Sequence, residues 1–523
     1  MTDELIHIAE ESTRGSFFLA VGNFVSTVIY AIGVFVMAGL LGPELYGVYT
    51  LCFTVPSFLF IVNIGVNQGL TKFSASLYAQ GQTGKLAKLI YHGIIFNSIV
   101  GLFFFLLCFV FSDWLAAYVI ARPEYGGYVR LASFIIFFQA LFNSANAVFI
   151  GLYKMEFRAL NSVIEAIVKT AISPFLIVVG LGVFGALTGL VASYLAAAVF
   201  GIFVVFMKIY RSLDTCNVNS HFSENIKKLL KYGSPLYAAT IVVGFYSPLQ
   251  NVMLAIFASD VEVGFFKAAK NFTTLISVIS GSVAISVFPA FARLENKSDQ
   301  LETFFSLCVK YTSLVLLPIV LLIIIFSREI VLIVYGSAYV STAFYLILIA
   351  LQFLLVGLGS IVLPSFFNGI GETKMTFKLN LVNFAAFLPI ALLLTQLYGV
   401  YGLIISNLAA YSVSTVCGIF MAIRKFDAKP DWRVTAKIYI ASFASLTPLF
   451  ILEIFLHSNI LLKVFLGSSV FVFLYLTLIP FLRILSWQEL IDLERAIGKT
   501  KPLALIMKLF FSYERILLGL QKR

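Results

Sequence analysis

Charged residues are scarce in this sequence. Asp, Glu, Lys and Arg make up 12% of its 523 residues, whereas hydrophobic residues make up 60%. Soluble globular proteins carry roughly a quarter of charged residues, so there is too little polar surface here to cover a water-soluble particle. Apolar runs of about 20 residues, long enough to cross a hydrocarbon core of about 30 Å, recur along the whole chain. The composition therefore excludes a soluble protein and predicts an integral membrane protein.

Residues that carry covalent or metal chemistry are also few. The five cysteines contain no CxxC pair and the four histidines are scattered, so the sequence has neither a disulfide framework nor metal-ligand spacing. The segment GQTGKL at Gly81 is too short for a phosphate-binding loop, and Leu86 stands where such a loop needs Ser or Thr. No nucleophile–base pair or paired-carboxylate site is readable. The sequence predicts a protein that is not an enzyme and needs no metal or other cofactor.

Fourteen apolar runs separated by charged breaks define the candidate spans. They lie at 16–41, 46–70, 88–111, 128–152, 159–180, 182–207, 232–257, 263–290, 303–326, 341–369, 376–396, 399–423, 435–457 and 460–482. The runs are too long for the strands of a barrel and do not alternate at period two, so each is predicted to be a helix. The expected fold class is an all-α polytopic membrane protein of about 14 transmembrane helices.

The basic residues are distributed unevenly between the loops. One set of alternate polar segments holds most of the loop Lys and Arg, whereas the other set holds only Arg122, Arg130, Arg328 and Lys463. The positive-inside rule places the basic set in the cytoplasm, so both termini are predicted to be cytoplasmic and the number of spans to be even. The net charge of +11 then belongs to a cytoplasmic face opposite anionic lipid, and no nucleic acid is expected as a partner.

An internal duplication is visible in the sequence. The segment GVFGALTGLVASYLAAAV beginning at Gly182 matches GVYGLIISNLAAYSVSTV beginning at Gly399, 217 residues later. The same offset pairs ELYGVY at Glu44 with VEVGFF at Val261. Because each copy contains an even number of helices, the two halves share one orientation. The sequence predicts two parallel six-helix lobes, with the binding site in the cleft between them.

The repeat also sets the predicted domain boundaries. These are an N-lobe at 1–211 (spans one to six), a cytoplasmic linker at 212–231, a C-lobe at 232–424 (spans seven to twelve), two C-terminal spans within 425–483 and a cytoplasmic amphipathic tail at 484–523. In the tail, the segment from Ser486 to Glu489 is typical of a capping box that opens a short helix. The apolar side of that helix is predicted to be Leu490, Leu493 and Ile497.

Several segments resemble one known family. The opening segment RGSFFLAVGNFVSTVIYAIGVFVMAGLLGPELYGVYTL at Arg14 resembles the polysaccharide-biosynthesis membrane proteins, namely O-antigen (Wzx-type) flippases and their archaeal relatives in the multidrug/oligosaccharidyl-lipid/polysaccharide exporter superfamily. The segments FPAFARL at Phe288, NGIGETK at Asn368 and SWQELIDLERAI at Ser486 follow in order, so the resemblance covers essentially the whole chain. It implies an alternating-access transporter that moves a lipid-linked oligosaccharide and receives its phosphates in a positively charged cavity lined by spans one, two, seven and eight.

Ionisable residues inside predicted spans are functional candidates, because a charge is costly in the hydrocarbon core. Lys169 lies near the middle of span five with Glu165 four residues before it, which indicates either a self-neutralising helix pair or part of a binding site. On span eight, Lys267 and Lys270 begin a polar stripe that continues with Asn271. This stripe is expected to line a phosphate-binding cavity. The alternative is that both lysines extend to the outer membrane interface.

Other polar residues complete the candidate set. Arg14, at the cytoplasmic mouth of span one, is an orientation anchor by position, and the resemblance makes it a candidate phosphate contact. Asn67 on span two is a candidate with interhelical hydrogen bonding as the alternative. Lys310 in span nine is expected to extend its ammonium group to the membrane interface. The candidate substrate-binding residues are Lys270, Lys267, Lys169, Arg14, Glu165, Asn271 and Asn67.

Three functional hypotheses follow from these observations. The first is a flippase that moves a polyprenyl-(pyro)phosphate-linked oligosaccharide from the cytoplasmic to the outer leaflet of the cell (plasma or inner) membrane. The second is a cation-coupled drug antiporter on the same fold, which would need an unpaired acid and has only Glu165 as a candidate. The third is a membrane scaffold for glycan assembly, in which the lysines would be dispensable. The expected partners are the lipid-linked glycan and membrane lipids, with a coupling ion and glycosyltransferases of the same pathway as further candidates.

Cys216 tests the predicted orientation, because it is the only cysteine that the sequence places in a water-exposed loop. A membrane-impermeant maleimide should label Cys216 in inside-out vesicles and leave sealed right-side-out vesicles unlabelled. A Cys216→Ser variant gives the background from the four cysteines within spans. Labelling of right-side-out vesicles alone would reverse the topology.

Overall fold

The computed structural model describes residues 3–60, 64–213, 221–294, 298–449, 459–498, 512–515 and 517. Within these ranges the regular secondary structure is helical, without strands. In chain order the α-helices are α1 (Asp3–Cys52), α2 (Thr54–Phe60), α3 (Ile64–Ala79), α4 (Thr83–Val110), α5 (Ser112–Tyr118), α6 (Gly126–Gly151), α7 (Met155–Leu176), α8 (Gly182–Val204), α9 (Phe222–Phe257), α10 (Asp260–Leu294), α11 (Ser298–Ile325), α12 (Ser327–Tyr335), α13 (Thr342–Ala350), α14 (Val362–Gly369), α15 (Thr373–Phe426), α16 (Trp432–Ala444), α17 (Ile460–Phe481) and α18 (Trp487–Gly498). Cys216 lies outside the described residues.

Seven helical stretches in the described ranges are long and apolar enough to cross a membrane, and three of them are too long to be one span. Val21–Leu59, Met155–Ser212 and Thr373–Phe426 contain 39, 58 and 54 residues. At 1.5 Å per residue the longest would extend about 87 Å, nearly three times the hydrocarbon thickness. Thr342–Leu358 and Val362–Gly369 form a further stretch, bent by 47°. The long stretches must therefore be divided.

Glycines with positive φ divide them. Gly42 (φ 75°) interrupts α1, Gly180 (φ 99°) lies between α7 and α8, Gly182 (φ 48°) begins α8, and Gly399 (φ 55°) interrupts α15. Glycine adopts such φ values without steric cost. Gly182 and Gly399 are equivalent positions of the repeat, so both copies break the helix at the same residue. Each predicted span coincides with mostly helical chain wherever it is described, and the all-α multi-pass membrane fold is confirmed.

The chain divides into two compact units. The first contains Met1–Asn271, Ser337–Tyr339 and Phe387–Ser406, and the second contains Phe272–Gly336, Val340–Ala386 and Asn407–Arg523. The lobe boundaries at 1–211, 212–231 and 232–424 derive from the sequence repeat and stay a prediction. All residues of the candidate site discussed below belong to the first unit.

Within the first unit, α1 and α7 pack closely through small residues. A Cβ on Gly22 would lie 2.3 Å from Ala159 Cβ, and one on Gly33 would lie 2.2 Å from Thr170 Oγ1. The two contacts are separated by the same number of residues on each helix, so the helices run parallel. Thr170 Oγ1 also donates a hydrogen bond to the carbonyl oxygen of Ile29 at 3.0 Å. Small residues of this kind let membrane helices approach at backbone distance.

The two copies of the repeat also meet through equivalent glycines. A Cβ on Gly47 would lie 1.8 Å from the carbonyl oxygen of Asp260, and a Cβ on Gly264 would lie 1.8 Å from the carbonyl oxygen of Pro43. Gly47 and Gly264 are 217 residues apart in the sequence, and so are Pro43 and Asp260. The contact is therefore symmetric with respect to the duplication. Both glycines are required because backbone occupies the space that a side chain would fill. We refer to this contact as the glycine crossing.

Next to the glycine crossing, Arg122 binds the turn between α9 and α10. Its Nε donates to Asp260 Oδ1 at 3.2 Å, and its Nη1 and Nη2 donate to the carbonyl oxygens of Ala255 and Ala258 at 3.2 and 2.9 Å. Tyr125 Oη donates to Asp260 Oδ2 at 2.5 Å. Side-chain exposure of Arg122 and Asp260 is 22% and 16%, which makes this ion pair stronger than a fully exposed one. The loop before α6 and the turn before α10 are thus fixed to each other.

The second unit contains the predicted capping box. The Ser486 amide donates to Glu489 Oε2 at 2.8 Å and the Glu489 amide donates to Ser486 Oγ at 3.2 Å, so the prediction for the start of α18 is confirmed. Leu490 is buried, whereas the side chains of Leu493 and Ile497 lie outside the described part. Lys310, which the sequence predicts to extend to the membrane interface, is buried, and its Nζ donates to Glu489 Oε1 at 2.6 Å. An acid from the tail helix thus neutralises this lysine.

The close backbone contact at the glycine crossing predicts that a side chain at Gly47 lowers the stability of the fold. Gly47→Ala forces a methyl group against the backbone of the α9–α10 turn and should destabilise the fold by about 1–3 kcal/mol, as overpacking does. The measurement is the thermal unfolding midpoint of the purified protein in detergent. Gly39→Ala is the matched control, because an added Cβ there meets nothing within 4 Å. Alanine is the better helix former, so the control should keep or raise the midpoint. Equal midpoints for the two variants would contradict the crossing.

Candidate functional site

The polar stripe predicted on span eight faces the more accessible side of α10. Lys267, Lys270 and Asn271 are half-buried, whereas the intervening Ala268 and Ala269 are fully buried. This difference follows from the helical period, which places positions i, i+3 and i+4 on one face. The glycine crossing holds α10 at Gly264, three residues before Lys267. The sequence therefore presents both ammonium groups from a rigidly held helix.

A neutral amide holds Lys267. Its Nζ donates to Asn251 Oδ1, on the neighbouring helix α9, and Asn251 is itself buried. Among the described residues Lys267 forms no ion pair. The ammonium groups of Lys267 and Lys270 lie 5.8 and 5.9 Å from the centre of the Phe266 ring, and the two charges repel each other. The positive charge of Lys267 is supported by hydrogen bonding without being neutralised.

Asn271 connects α10 to α1. Its Nδ2 donates to Tyr46 Oη at 2.9 Å, and the Tyr46 ring stacks on Tyr49 with centroids 6.1 Å apart and planes at 19°. Both tyrosines are buried. Tyr46 immediately precedes Gly47, so the glycine crossing also sets the position of this hydrogen bond. The bond links the stripe on α10 to the stacked rings of Tyr46 and Tyr49 on α1, which we call the aromatic wall.

The cation on α7 lies on the same aromatic wall. Lys169 is 4% exposed, and its Nζ lies 3.6 Å above the centre of the Tyr30 ring. Tyr30, Tyr49 and Glu165 interact with it electrostatically. In the part of the chain that the structure describes, no ion pair joins Lys169 to Glu165, although their spacing allows one. Lys169 is thus stabilised chiefly by tyrosine rings, as expected for a cation–π contact away from water.

Asn67 belongs to a different group of polar residues. Its Oδ1 accepts a hydrogen bond from Asn97 Nδ2 at 2.8 Å, and the same Nδ2 lies 2.8 Å from Ser144 Oγ. These residues come from α3, α4 and α6, so Asn67 has the interhelical role that was the alternative for it. Arg14 lies in α1, and its side chain lies outside the described part.

Two residues of the site were missed by the sequence analysis. Asn251 contacts Lys267, and Tyr30 contacts Lys169. In each pair the two residues lie on different helices. Tyr30 carried no signal, since tyrosine is common in membrane helices. Asn251 carried a weak one, since it is an amide within a predicted span. Together the site offers cations supported by amides and rings in a low-dielectric region, an arrangement that attracts an anion strongly.

Comparisons with known proteins identify the family of the chain. A family model described as polysaccharide biosynthesis protein matches residues 36–344. The chain is 22% identical to the probable low-salt glycan biosynthesis flippase Agl15 of Haloferax volcanii, over 49% of this chain and 54% of Agl15. It is 24% identical to the lipopolysaccharide biosynthesis protein WzxC of Escherichia coli, over 45% of this chain and 46% of WzxC. The chain therefore spans about half the length of these two relatives.

Solved structures share the fold. The lipid II flippase MurJ in an inward closed conformation matches with a TM-score of 0.71 and 15% identity, over 88% of this chain and 98% of MurJ. An inward-facing multidrug resistance MATE family transporter of the MOP superfamily matches with a TM-score of 0.64 and 19% identity, over 77% and 95%. A MOP superfamily transporter from Pyrococcus furiosus, reported to have a binding pocket of reverse polarity, matches with a TM-score of 0.54 and 19% identity, over 80% and 96%.

Asn251→Asp tests whether the positive charge of Lys267, which no acidic residue in the described part of the chain neutralises, binds an anion. The carboxylate keeps the hydrogen bond to Lys267 and adds an ion pair, so the thermal midpoint should be unchanged or higher. If an anionic substrate binds at Lys267, neutralising the cation should weaken binding of an anionic probe, a fluorescent short-chain polyprenyl pyrophosphate, about tenfold or more. Asn251→Ser, a neutral variant, should weaken binding less. Unchanged affinity in Asn251→Asp would show that Lys267 does not contribute its charge to anion binding.

Proposed function

Because the chain belongs to the polysaccharide biosynthesis protein family, we propose that it is a flippase for a polyprenyl-(pyro)phosphate-linked oligosaccharide. In this proposal it moves the lipid from the cytoplasmic to the outer leaflet by alternating access, as a transporter without enzymatic activity. The polyprenyl tail stays in the bilayer, so only the phosphates and sugars need a polar path. One or two phosphates need a compact group of cations along that path.

The observation that carries the proposal is the support given to Lys267 by the neutral Asn251. A charge that is partly withdrawn from water without an opposite charge is destabilising. An anion that reaches Lys267 relieves this cost, and the phosphates of a lipid-linked glycan are such anions. Lys169, which rests on the Tyr30 ring, has the same character. The names of the relatives Agl15 and WzxC support the same substrate class.

The alternative supported by a specific observation is a drug antiporter, since MATE transporters share the fold. An antiporter of lipophilic cations needs an exposed carboxylate that exchanges its proton or ion with the drug. Here Glu165 is the acid near Lys169, and the other charged residues of the site are lysines. Such a site repels cations, so the flippase is the better-supported function.

The remaining parts of the proposal rest on the sequence. We place the protein in the cell (plasma or inner) membrane with both termini in the cytoplasm, because the basic residues concentrate in one set of loops. Candidate partners are glycosyltransferases of the same pathway. A coupling ion would supply the driving force.

Reconstitution in liposomes tests the proposal. The purified protein should translocate a fluorescent polyprenyl-pyrophosphate glycan, Lys270→Ala should abolish translocation, and Lys270→Arg should restore part of it, because the charge is kept in a different shape. Lys85→Ala, which removes an exposed lysine, is the control and should behave as the wild type. In a pump-deficient host the protein should give no resistance to cationic dyes.

Three results would contradict the proposal in different ways. Dye efflux that depends on Glu165, without glycolipid movement, would identify an antiporter. Full translocation by the Lys267→Ala, Lys270→Ala double variant would show that the phosphate site lies elsewhere. If cells that lack the protein lose glycan export while the purified protein translocates nothing in liposomes, the protein is a scaffold.

A further inference from the structure

Arg158, at the start of α7, is a half-buried cation whose described partner is neutral. Its Nη1 donates to Asn23 Oδ1 at 3.1 Å. Its Nε is buried and has no hydrogen-bond partner among the described residues, and its Nη2 makes no hydrogen bond to them either. Nε and Nη2 form the side edge of the guanidinium group, which matches two oxygens of a phosphate. One side of the group is therefore anchored, and the described residues leave its two-donor edge without a partner.

Arg158 shares a helix face with Lys169. The two residues are eleven positions apart, three turns of α7, and Ser162 and Glu165 lie between them on the same face. On α1 their partners Asn23 and Tyr30 are seven positions apart, two turns, and also share a face. The parallel packing of α1 and α7 aligns these two faces. A polar track about 16 Å long therefore follows the seam between the two helices.

The charges along this track are arranged in order. Arg158 stands at the end that the topology places in the cytoplasm, and Lys169 stands deeper. Glu165 lies between them, two turns from Arg158 and one turn from Lys169. The described residues provide no carboxylate for Arg158, because no ion pair to it is formed. Its Nε has no partner among these residues and is a donor for an anion that enters the track.

We propose that Arg158, oriented by Asn23, is the first phosphate-binding residue of the transport path, taking the phosphate of the lipid-linked substrate at the cytoplasmic leaflet before it reaches the lysine site. This inference rests on the proposed function and adds a second, earlier subsite to it. The planar guanidinium group binds two phosphate oxygens at once, whereas the deeper lysines act as point charges. A substrate thus meets the more selective group first.

A binding measurement in nanodiscs of neutral phospholipid tests this subsite. The probe is a fluorescent short-chain polyprenyl pyrophosphate. Arg158→Gln should raise the half-saturating concentration about tenfold, and Arg158→Lys should give an intermediate rise, because lysine keeps the charge but not the fork. Lys154→Gln, an exposed lysine one turn earlier, is the matched control and should stay within twofold of the wild type.

A second variant keeps the test valid if Arg158→Gln does not fold. Asn23→Ala leaves the charge and removes only the amide that orients the guanidinium group, so it should raise the half-saturating concentration about threefold. In liposomes both variants should show a higher substrate requirement with a nearly unchanged maximal rate of translocation. A residue with a merely structural role would lower the maximal rate instead.

The outcomes separate this inference from the function on which it rests. Binding within twofold of the wild type in Arg158→Gln, together with loss of translocation in Lys270→Ala, would overturn the subsite and leave the proposed function standing. If Arg158→Gln changes the half-saturating concentration only in nanodiscs that contain phosphatidylglycerol, Arg158 binds bilayer headgroups. That result would also overturn the subsite. Wild-type binding in Arg158→Gln together with full translocation in Lys270→Ala would overturn both the subsite and the lysine site of the proposed function.

Discussion

The contact between Gly47 and Gly264 is the constraint on which the candidate site depends. At this point backbone lies against backbone, and neither residue has room for a Cβ. The residues that flank the glycines carry the chemistry, since Tyr46 precedes one and Lys267 follows the other by three positions. The hydrogen bond between Asn271 and Tyr46 can form only because the two helices approach this closely. A single steric requirement, repeated in both copies of the duplication, thus sets the spacing between the stripe on α10 and the aromatic wall on α1.

Much of the fold could be predicted from the sequence, because hydropathy and the repeat are local signals. The apolar runs located the helices, and the 217-residue offset paired Gly47 with Gly264 before their contact was known. The partners of the lysines could not be predicted in this way. Tyr30 reaches Lys169 from a helix far away in the sequence, and Lys310 meets an acid of the tail helix. Which side chains meet depends on helix rotation and packing, and a hydropathy profile contains neither.

Two kinds of lysine can be distinguished by their partners. In the second unit, Lys310 pairs with Glu489 and Lys463 pairs with Glu329, each with nitrogen and oxygen 2.6 Å apart. These ion pairs neutralise the charge, so their function is to hold helices together. In the first unit, Lys267 rests on an amide and Lys169 on a ring. Amides and rings lower the free energy of a buried cation without cancelling its field, and that field remains available to a substrate.

Helix α1 connects the cationic residues, because it supplies a partner to each group of them. Asn23 binds Arg158, Tyr30 lies against Lys169, and Tyr46 binds Asn271 beside Lys270. These partners follow one another from the predicted cytoplasmic end of α1 to the segment beyond its break at Gly42. A small rotation of the part of α1 before Gly42 would change the environments of Arg158 and Lys169 together. An anion bound at either of them therefore affects the same helical segment, which gives a physical basis for coupling substrate position to helix movement.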